Sequence, residues 1–294
     1  MATAREIRRR IRSVTNIGQV TRAMEAVSAS KMRRAQERTL ASRAYAERAW
    51  EILTYLASQR VKEGEILHPL VERREVGTIG LVLITPDRGL CGGLPTNIIR
   101  EATQFIQRQA VPVRLIAVGR KGCDFMMRYG ADVCAEFTGI PDQPPLTEIT
   151  PIARLAMDDF LNGTFDQLYL AYAHFVNTMV QRPVVRQLLP IEPAVSETDD
   201  YAVEYIIEPD PEAVLNEVLE GFTVLQIYQA ILDGQASEHS ARMVAMRAAT
   251  ENSEALAEDL TLTYNRARQE AITTELLDIA GGAEALAKAR ATTG

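Results

Sequence analysis

The chain has little of what marks secreted, membrane-spanning or metal-dependent proteins. It contains no run of about 18 apolar residues, the length a helix needs to span a bilayer. Its three cysteines, Cys91, Cys123 and Cys134, are too few and too scattered for a disulfide framework. No paired CxxC points to zinc, and a reducing compartment is the plain reading. His68, His174 and His239 lie far apart in sequence, as surface or core histidines do, and form no ligand cluster. Proline is absent from Ala4 to about Arg60, where Gly18 is the only glycine, and absent again from Pro211 to the end. Two long stretches therefore carry almost nothing that breaks a helix.

What those stretches contain agrees with this. The first is rich in Ala, Arg, Glu, Met and Gln, and Ile17, Val20, Met24 and Val27 recur at the three- and four-residue steps of one helix face. Roughly 57 helical residues would reach about 85 Å, more than an ordinary domain's diameter, so much of this helix leans on something other than a compact core. The second stretch opens at Pro209-Asp210-Pro211, with Asp210 in the N-cap position and Pro211 at the first helical one. Gly221 and Gly234 weaken it by about 1 kcal/mol each relative to Ala. Leu256, Leu260, Ala267, Ala271, Leu276 and Ile279 continue an apolar stripe, and ARMVAMRAAT supplies small residues for close helix approach. Periodic stretches this long indicate a coiled coil, and one at each terminus pair most simply antiparallel. The Arg-rich start, MATAREIRRRIRSV, resembles a transit peptide, but Ile7, Ile11 and Val14 already keep helical spacing, so it is read as part of the mature fold.

Between the two helices the texture changes. VGTIGLVLI, VRLIAVG, ADVCAEF, QLYLAYAHF and PVVRQLLP read as strands, alternating with helices near 94–109, 121–129 and 147–161. That alternation predicts an α/β domain with a largely parallel, Rossmann-like sheet covered on both faces. The expected organisation is an N-terminal coiled-coil helix over 1–68, an α/β body over 69–208 and a C-terminal coiled-coil helix over 209–294.

Charge is distributed unevenly. The net charge is -7, yet residues 1–38 carry ten Lys or Arg against Glu6, Glu25 and Glu37, whereas 191–221 hold ten acidic side chains and no basic one. Such polarity suits different charged partners at different places, or two solvated faces.

One stretch invites a chemical reading. Ile84–Arg100, ITPDRGLCGGLPTNIIR, follows an apolar strand and opens a helix, the parts of a phosphate cradle. However, Gly89 and Gly92 are three apart with no Gly-Lys-Ser/Thr, and Gly89, Gly92 and Gly93 miss the G-x-G-x-x-G spacing. Asp87 would repel phosphate. The turn is read as a tight strand-to-helix connection in which glycines permit positive φ. Gly119-Arg120-Lys121-Gly122 is basic and turn-like but has no general base beside it in sequence, and Asp158 and Asp159 point about 100° apart on a helix. No nucleophile elbow is present. No catalytic, cofactor-binding or metal-binding residue is expected.

TRAMEAVSASKMRRAQ (21–36), TPDRGLCGGLPTN (85–97), VNTMVQRPVVRQLLP (176–190), EPDP (208–211) and the C-terminal SEHSARMVAMRAATENSEAL with YNRARQEAITTELLDIAGGAEAL closely resemble the gamma subunits of F-type ATP synthases. The resemblance runs in order along essentially the whole chain. It implies a central stalk whose terminal helices form an antiparallel coil inside a ring of alternating alpha and beta subunits. The body then sits beside epsilon and on the membrane-embedded c-ring, peripheral to the cytoplasmic side of a bacterial plasma membrane. Nucleotide is bound by alpha and beta, not by this subunit. By position, Met24 corresponds to the methionine near the moving beta lever, Arg268 and Gln269 to the pair that hydrogen-bonds a beta loop, and Arg242 to another coupling-sensitive position. Arg8, Arg9 and Arg33 are expected to face acidic beta surfaces, and Tyr205 and Glu208 to meet polar c-ring loops. Ile207 departs from the aromatic of some family members, and no cysteine-bearing plastid insertion is present near residue 200. Two rival readings are a nucleic-acid-binding coiled coil using the basic N-terminal helix and a small-molecule enzyme on the α/β body. Against the first stands a rest-of-chain charge of about -14 with no aromatic interleaving.

Overall fold

The computed structural model describes residues 3–63, 68–191 and 211–292, with side chains described outside 40–63, 211–213, 215 and 284–292. Asp210, Tyr205, Ile207, Glu208 and most of the acidic block lie outside the described residues. Two long helices, α1 (Ala4–Glu63) and α5 (Pro211–Thr292), flank five strands and three shorter helices. The chain forms two compact units: Met1–Ala26 with Met246–Gly294, and Val27–Ala245.

The larger unit is built on strands β1 (Ile79–Ile84), β2 (Val113–Val118), β3 (Asp132–Phe137), β4 (Gln167–Phe175) and β5 (Gln181–Leu189). They form one sheet in the order β3-β2-β1-β4-β5. The first four run parallel and β5 returns antiparallel to β4. Each parallel connection carries a helix: α2 (Leu94–Arg108), α3 (Arg120–Arg128) and α4 (Leu146–Leu161). β1 has all six residues buried because helices cover both of its faces, so its sequence is a continuous apolar run. Leu81 and Leu83 pack with Leu94, Ile98 and Ala102 of α2. Val82 and Ile84 point the other way, into a core shared with Ile149, Ile152 and Phe160 of α4 and with Phe222, Ile227 and Ile231 of α5. Each such fully buried side chain contributes about 1.5–3 kcal/mol. β3, at the sheet edge, alternates exposed and half-buried positions instead.

The smaller unit is an antiparallel helix pair. On α1 the buried and half-buried positions include Ile7, Ile11, Val14, Gly18, Thr21 and Glu25; on α5 they include Met246, Thr250, Ser253, Ala257, Leu260, Tyr264 and Ala267. Both series step by three and four, the heptad spacing of a coiled coil. The Thr21 and Thr250 hydroxyls share a hydrogen bond of 2.7 Å, and Glu25 accepts one of 2.8 Å from Arg247. Arg22 pairs with Glu254. As α1 numbers rise the α5 partners fall, which fixes the antiparallel direction. Ile17 and Val20, the large apolar residues that the sequence singles out, are 54% and 57% exposed. The seam runs beside them through Gly18 and Thr21.

Candidate functional site

In a parallel α/β sheet the usual ligand crevice lies beyond the carboxyl ends of the strands, where the strand order reverses. Here that place is between β1 and β4, since β1 is followed by β2 on one side and β4 joins it on the other. The crevice is filled by the chain's own α5. Gly234 brings that helix so near the end of β1 that a Cβ would meet Ile84 Cγ2 at 3.4 Å. One turn later Ser237 donates to the Ala173 carbonyl at the end of β4, 2.9 Å away. Ser240 donates to the Thr178 carbonyl at 2.7 Å, and Gln235 to the Pro141 carbonyl at 2.7 Å. His174 of β4 and Asp233 of α5 lie 2.7 Å apart. Short polar side chains at these steps let a helix lie against strand ends and satisfy their carbonyls.

The glycine-rich turn after β1 belongs to the same place. Gly92 has φ +60 and Leu90 φ +63. Asp87 turns back and accepts from the Arg120 amide at 2.8 Å with one carboxylate oxygen and from the Gly139 amide at 2.8 Å with the other. A side-chain anion therefore sits at the start of α3, where a phosphate would otherwise be drawn. Among the described glycines the closest backbone approach is at Gly119: its φ is +93 and a Cβ there would lie 1.8 Å from the Thr85 carbonyl oxygen.

Arg242, one of the expected residues, anchors the turn. It donates to the Gly89 carbonyl at 3.2 Å and to Glu238 at 2.6 Å. Burial pushes the Glu238 carboxyl up from its ordinary range, and the Arg242 charge only partly offsets this. His239 is lowered to about 4, mainly by burial and further by the Arg242 and Lys31 charges, against the raising pull of Asp142. Burial would raise the Asp142 carboxyl, but it lies below its usual range because Lys31 hydrogen-bonds to it and cationic charges surround it. With His239 neutral at neutral pH, Lys31 and Arg242 supply that charge. The Cys91, Cys123 and Cys134 thiols are all raised, chiefly by burial, so they remain protonated and are poor nucleophiles.

The other expected residues lie in the helix pair. Met24 is half-buried next to the Glu25–Arg247 bond. Arg268 and Gln269 are exposed on α5, as are Arg8 and Arg9 on α1; Arg33, also exposed, belongs to the larger unit. Sequence reasoning marked ARMVAMRAAT, which ends at Thr250, for close helix approach but did not single out Gly18, Thr21 and Ser253, whose three- and four-residue spacing was the available signal. Nor did it single out Asp142, which interacts with residues 111 positions before it and 97 after it. Among the described residues no helix is long and apolar enough to cross a membrane, and no group of three His, Cys, Asp or Glu is placed to hold a metal ion.

The ATP synthase family model matches residues 3–286. An ATP synthase gamma chain of Dehalococcoides mccartyi strain CBDB1 is 53% identical over 287 residues, covering 98% of this chain and 100% of that one. One from Herpetosiphon aurantiacus is 50% identical, covering 97% and 99%. Among solved structures, a chain of the central stalk and c-ring structure of the Tetrahymena thermophila mitochondrial ATP synthase aligns with a TM-score of 0.60 at 25% identity, covering 78% of this chain and 99% of that one. A chain of the Euglena gracilis mitochondrial enzyme shares the fold, with a TM-score of 0.67 at 20% identity over 96% and 94% of the two chains. With two independent relatives matched end to end at half identity, the chain belongs to the ATP synthase family, among its gamma chains.

Proposed function

We propose that this chain is the central rotor shaft of an F-type ATP synthase, coupling ion-driven c-ring rotation to ATP synthesis or hydrolysis in a head of alpha and beta subunits, with no catalytic site of its own. The observation that carries this reading is the surface of the helix pair. Ile17, Val20, Leu256, Leu262, Ile272, Leu276, Leu277 and Ile279 are all exposed, and apolar side chains clustered on a surface mark sites that partners cover. A sleeve of surrounding subunits would cover it without gripping any one contact.

A shaft changes a site's affinity only through contacts that differ between that site's states, about 1.4 kcal/mol for each tenfold. The same coupling runs backwards, so hydrolysis drives the shaft in reverse. Met24, Arg268 and Gln269 are the contacts we assign to the head, and Tyr205 and Glu208 those to the c-ring. Arg242 acts at one remove, by fixing the glycine-rich turn after β1 through the Gly89 carbonyl. Epsilon sits beside the body, and the subunit lies peripherally on the cytoplasmic face of a bacterial plasma membrane.

The test is co-purification followed by pumping. Tagged chain expressed with its own operon's subunits should bring down alpha, beta and epsilon, and inverted vesicles holding the complex should build an ion gradient on addition of ATP. Recovery of the chain without those subunits would overturn the reading.

A further inference from the structure

The segment Gly139–Pro145, GIPDQPP, between β3 and α4, touches both long helices within the larger unit. Lys31 of α1 pairs with Asp142 at 2.6 Å, and Arg38, two turns along the same face, donates to Gln143 at 2.6 Å. From α5, Tyr228 donates to the Pro144 carbonyl at 3.4 Å and Gln235 to the Pro141 carbonyl at 2.7 Å. The His239 Nε2 lies 3.2 Å from the second Asp142 oxygen. Residues 31 and 38 are seven apart, as are 228 and 235, with 239 one turn further, so each helix offers a single face to the strap. The other end of the strap is tied to the sheet, because the Gly139 amide donates to Asp87, whose remaining oxygen caps α3. Pro141, Pro144 and Pro145 fix φ at three of its seven positions.

We propose that this strap is an element that transmits torque between the α/β body and the two shaft helices, joining α1 and α5 to the body together, with Asp142 as its positioning residue. The proposal rests on the rotor reading and deepens it. A helix pair driven from the body must not turn inside it. α5 is tied to the sheet directly, by Ser237 at the Ala173 carbonyl and by Asp233 beside His174, as well as by core packing. Directional ties resist sliding, and the strap supplies them to α1 and α5 from one short, stiff piece of chain. In the strap, the Asp142 side chain reaches both helices at once, through its two oxygens. His239 is 3% exposed and its Nδ1 has no partner, so it is held in place by packing and offers Asp142 a fixed donor.

The experiment uses the whole complex in inverted vesicles. Two quantities are read: the ATPase rate with an uncoupler present, when the rotor turns without load, and the largest ion gradient reached with ATP, when it stalls. Asp142→Ala should leave the unloaded rate near wild type and lower the stall gradient roughly twofold or more. Asp142→Asn, which keeps an acceptor for His239, should fall between. Lys31→Met should lower the gradient in the wild-type background and add little once Asp142 is Ala, the non-additivity of a shared contact. An unchanged stall gradient would overturn the proposal, and so would an equal loss of unloaded ATPase, or additive effects of the two substitutions. If Asp142→Ala fails to assemble, Lys31→Met alone decides by the same two readings. Wild-type vesicles that build no gradient would instead count against the rotor reading itself.

Discussion

The hydroxyl oxygens of Thr21 and Thr250 lie 2.7 Å apart in the seam of the helix pair, both buried, each also within hydrogen-bonding reach of a carbonyl of its own helix, so that one hydroxyl donates across the seam while the other can donate to its own helix. About one helical turn away Gly18 faces Ser253 so closely that a Cβ would stand 2.6 Å from the serine Oγ. A seam of this kind brings two backbones together as large apolar knobs cannot, and it makes the pairing register depend on small residues.

Gly18→Ala is therefore expected to destabilise the chain by about 1–3 kcal/mol through overpacking, although Ala normally favours a helix interior. Adding Ser253→Ala should recover most of that loss, because the clash is with that one oxygen. Thermal unfolding of the two variants checks this; a Gly18→Ala chain as stable as wild type would contradict the seam.

Glycine matters elsewhere for a different reason. Gly119→Ala should cost several kcal/mol, since its φ is +93 and the Thr85 carbonyl oxygen stands 1.8 Å from the new methyl position. Gly89→Ala, in the more conspicuous glycine-rich turn, meets nothing within 4 Å and should stay within about 0.5 kcal/mol. Denaturant midpoints of the two variants give the contrast directly.

The sheet was legible because its strands are apolar runs of the right length bounded by glycine or proline, and β4, Gln167–Phe175, matches its sequence segment residue for residue. The reversal of β5 was not legible, since a strand's direction is set by the short Val176–Val180 turn and not by its own composition. The seam was misleading for a physical reason. Large apolar residues usually lie inside, but Ile17 and Val20 face outward here. Beside them, at Gly18, Thr21, Thr250 and Ser253, small residues hold the inside because they allow the closer approach. Asp142 was hidden for another reason: nothing local distinguishes a loop aspartate that the fold places between two helices.

The buried histidine gives stability a pH dependence of definite sign. His239 is held at about 4 in the folded chain, below its ordinary 6.5, with Asp142, Lys31 and Arg242 as the charged groups around it. The unfolded chain therefore takes up the proton first. The contribution is present above about pH 6.5 and is lost as pH falls toward 4, on the order of 3 kcal/mol in all. The low-lying Asp142 carboxyl adds a loss of the same sign as it protonates at lower pH. Urea midpoints measured between pH 7 and pH 4 should fall, and His239→Gln should flatten the decline over the upper part of that range.

Arg268 and Gln269 separate contact with partners from stability. Both are exposed on α5 in the helix-pair unit. Substitution of either by Ala should move the thermal midpoint of the purified chain little, within about 0.5 kcal/mol. If they form the assigned hydrogen bonds to the head at one stage of rotation, the assembled enzyme should lose turnover roughly tenfold for each 1.4 kcal/mol of differential contact removed. The loss should appear in the ATPase rate even with an uncoupler present, because these contacts act at the head whether or not the rotor is loaded. That distinguishes them from Asp142, whose removal should matter only under load. Turnover that stayed at the wild-type rate in the Arg268→Ala, Gln269→Ala double variant would remove both residues from the rotor's working surface.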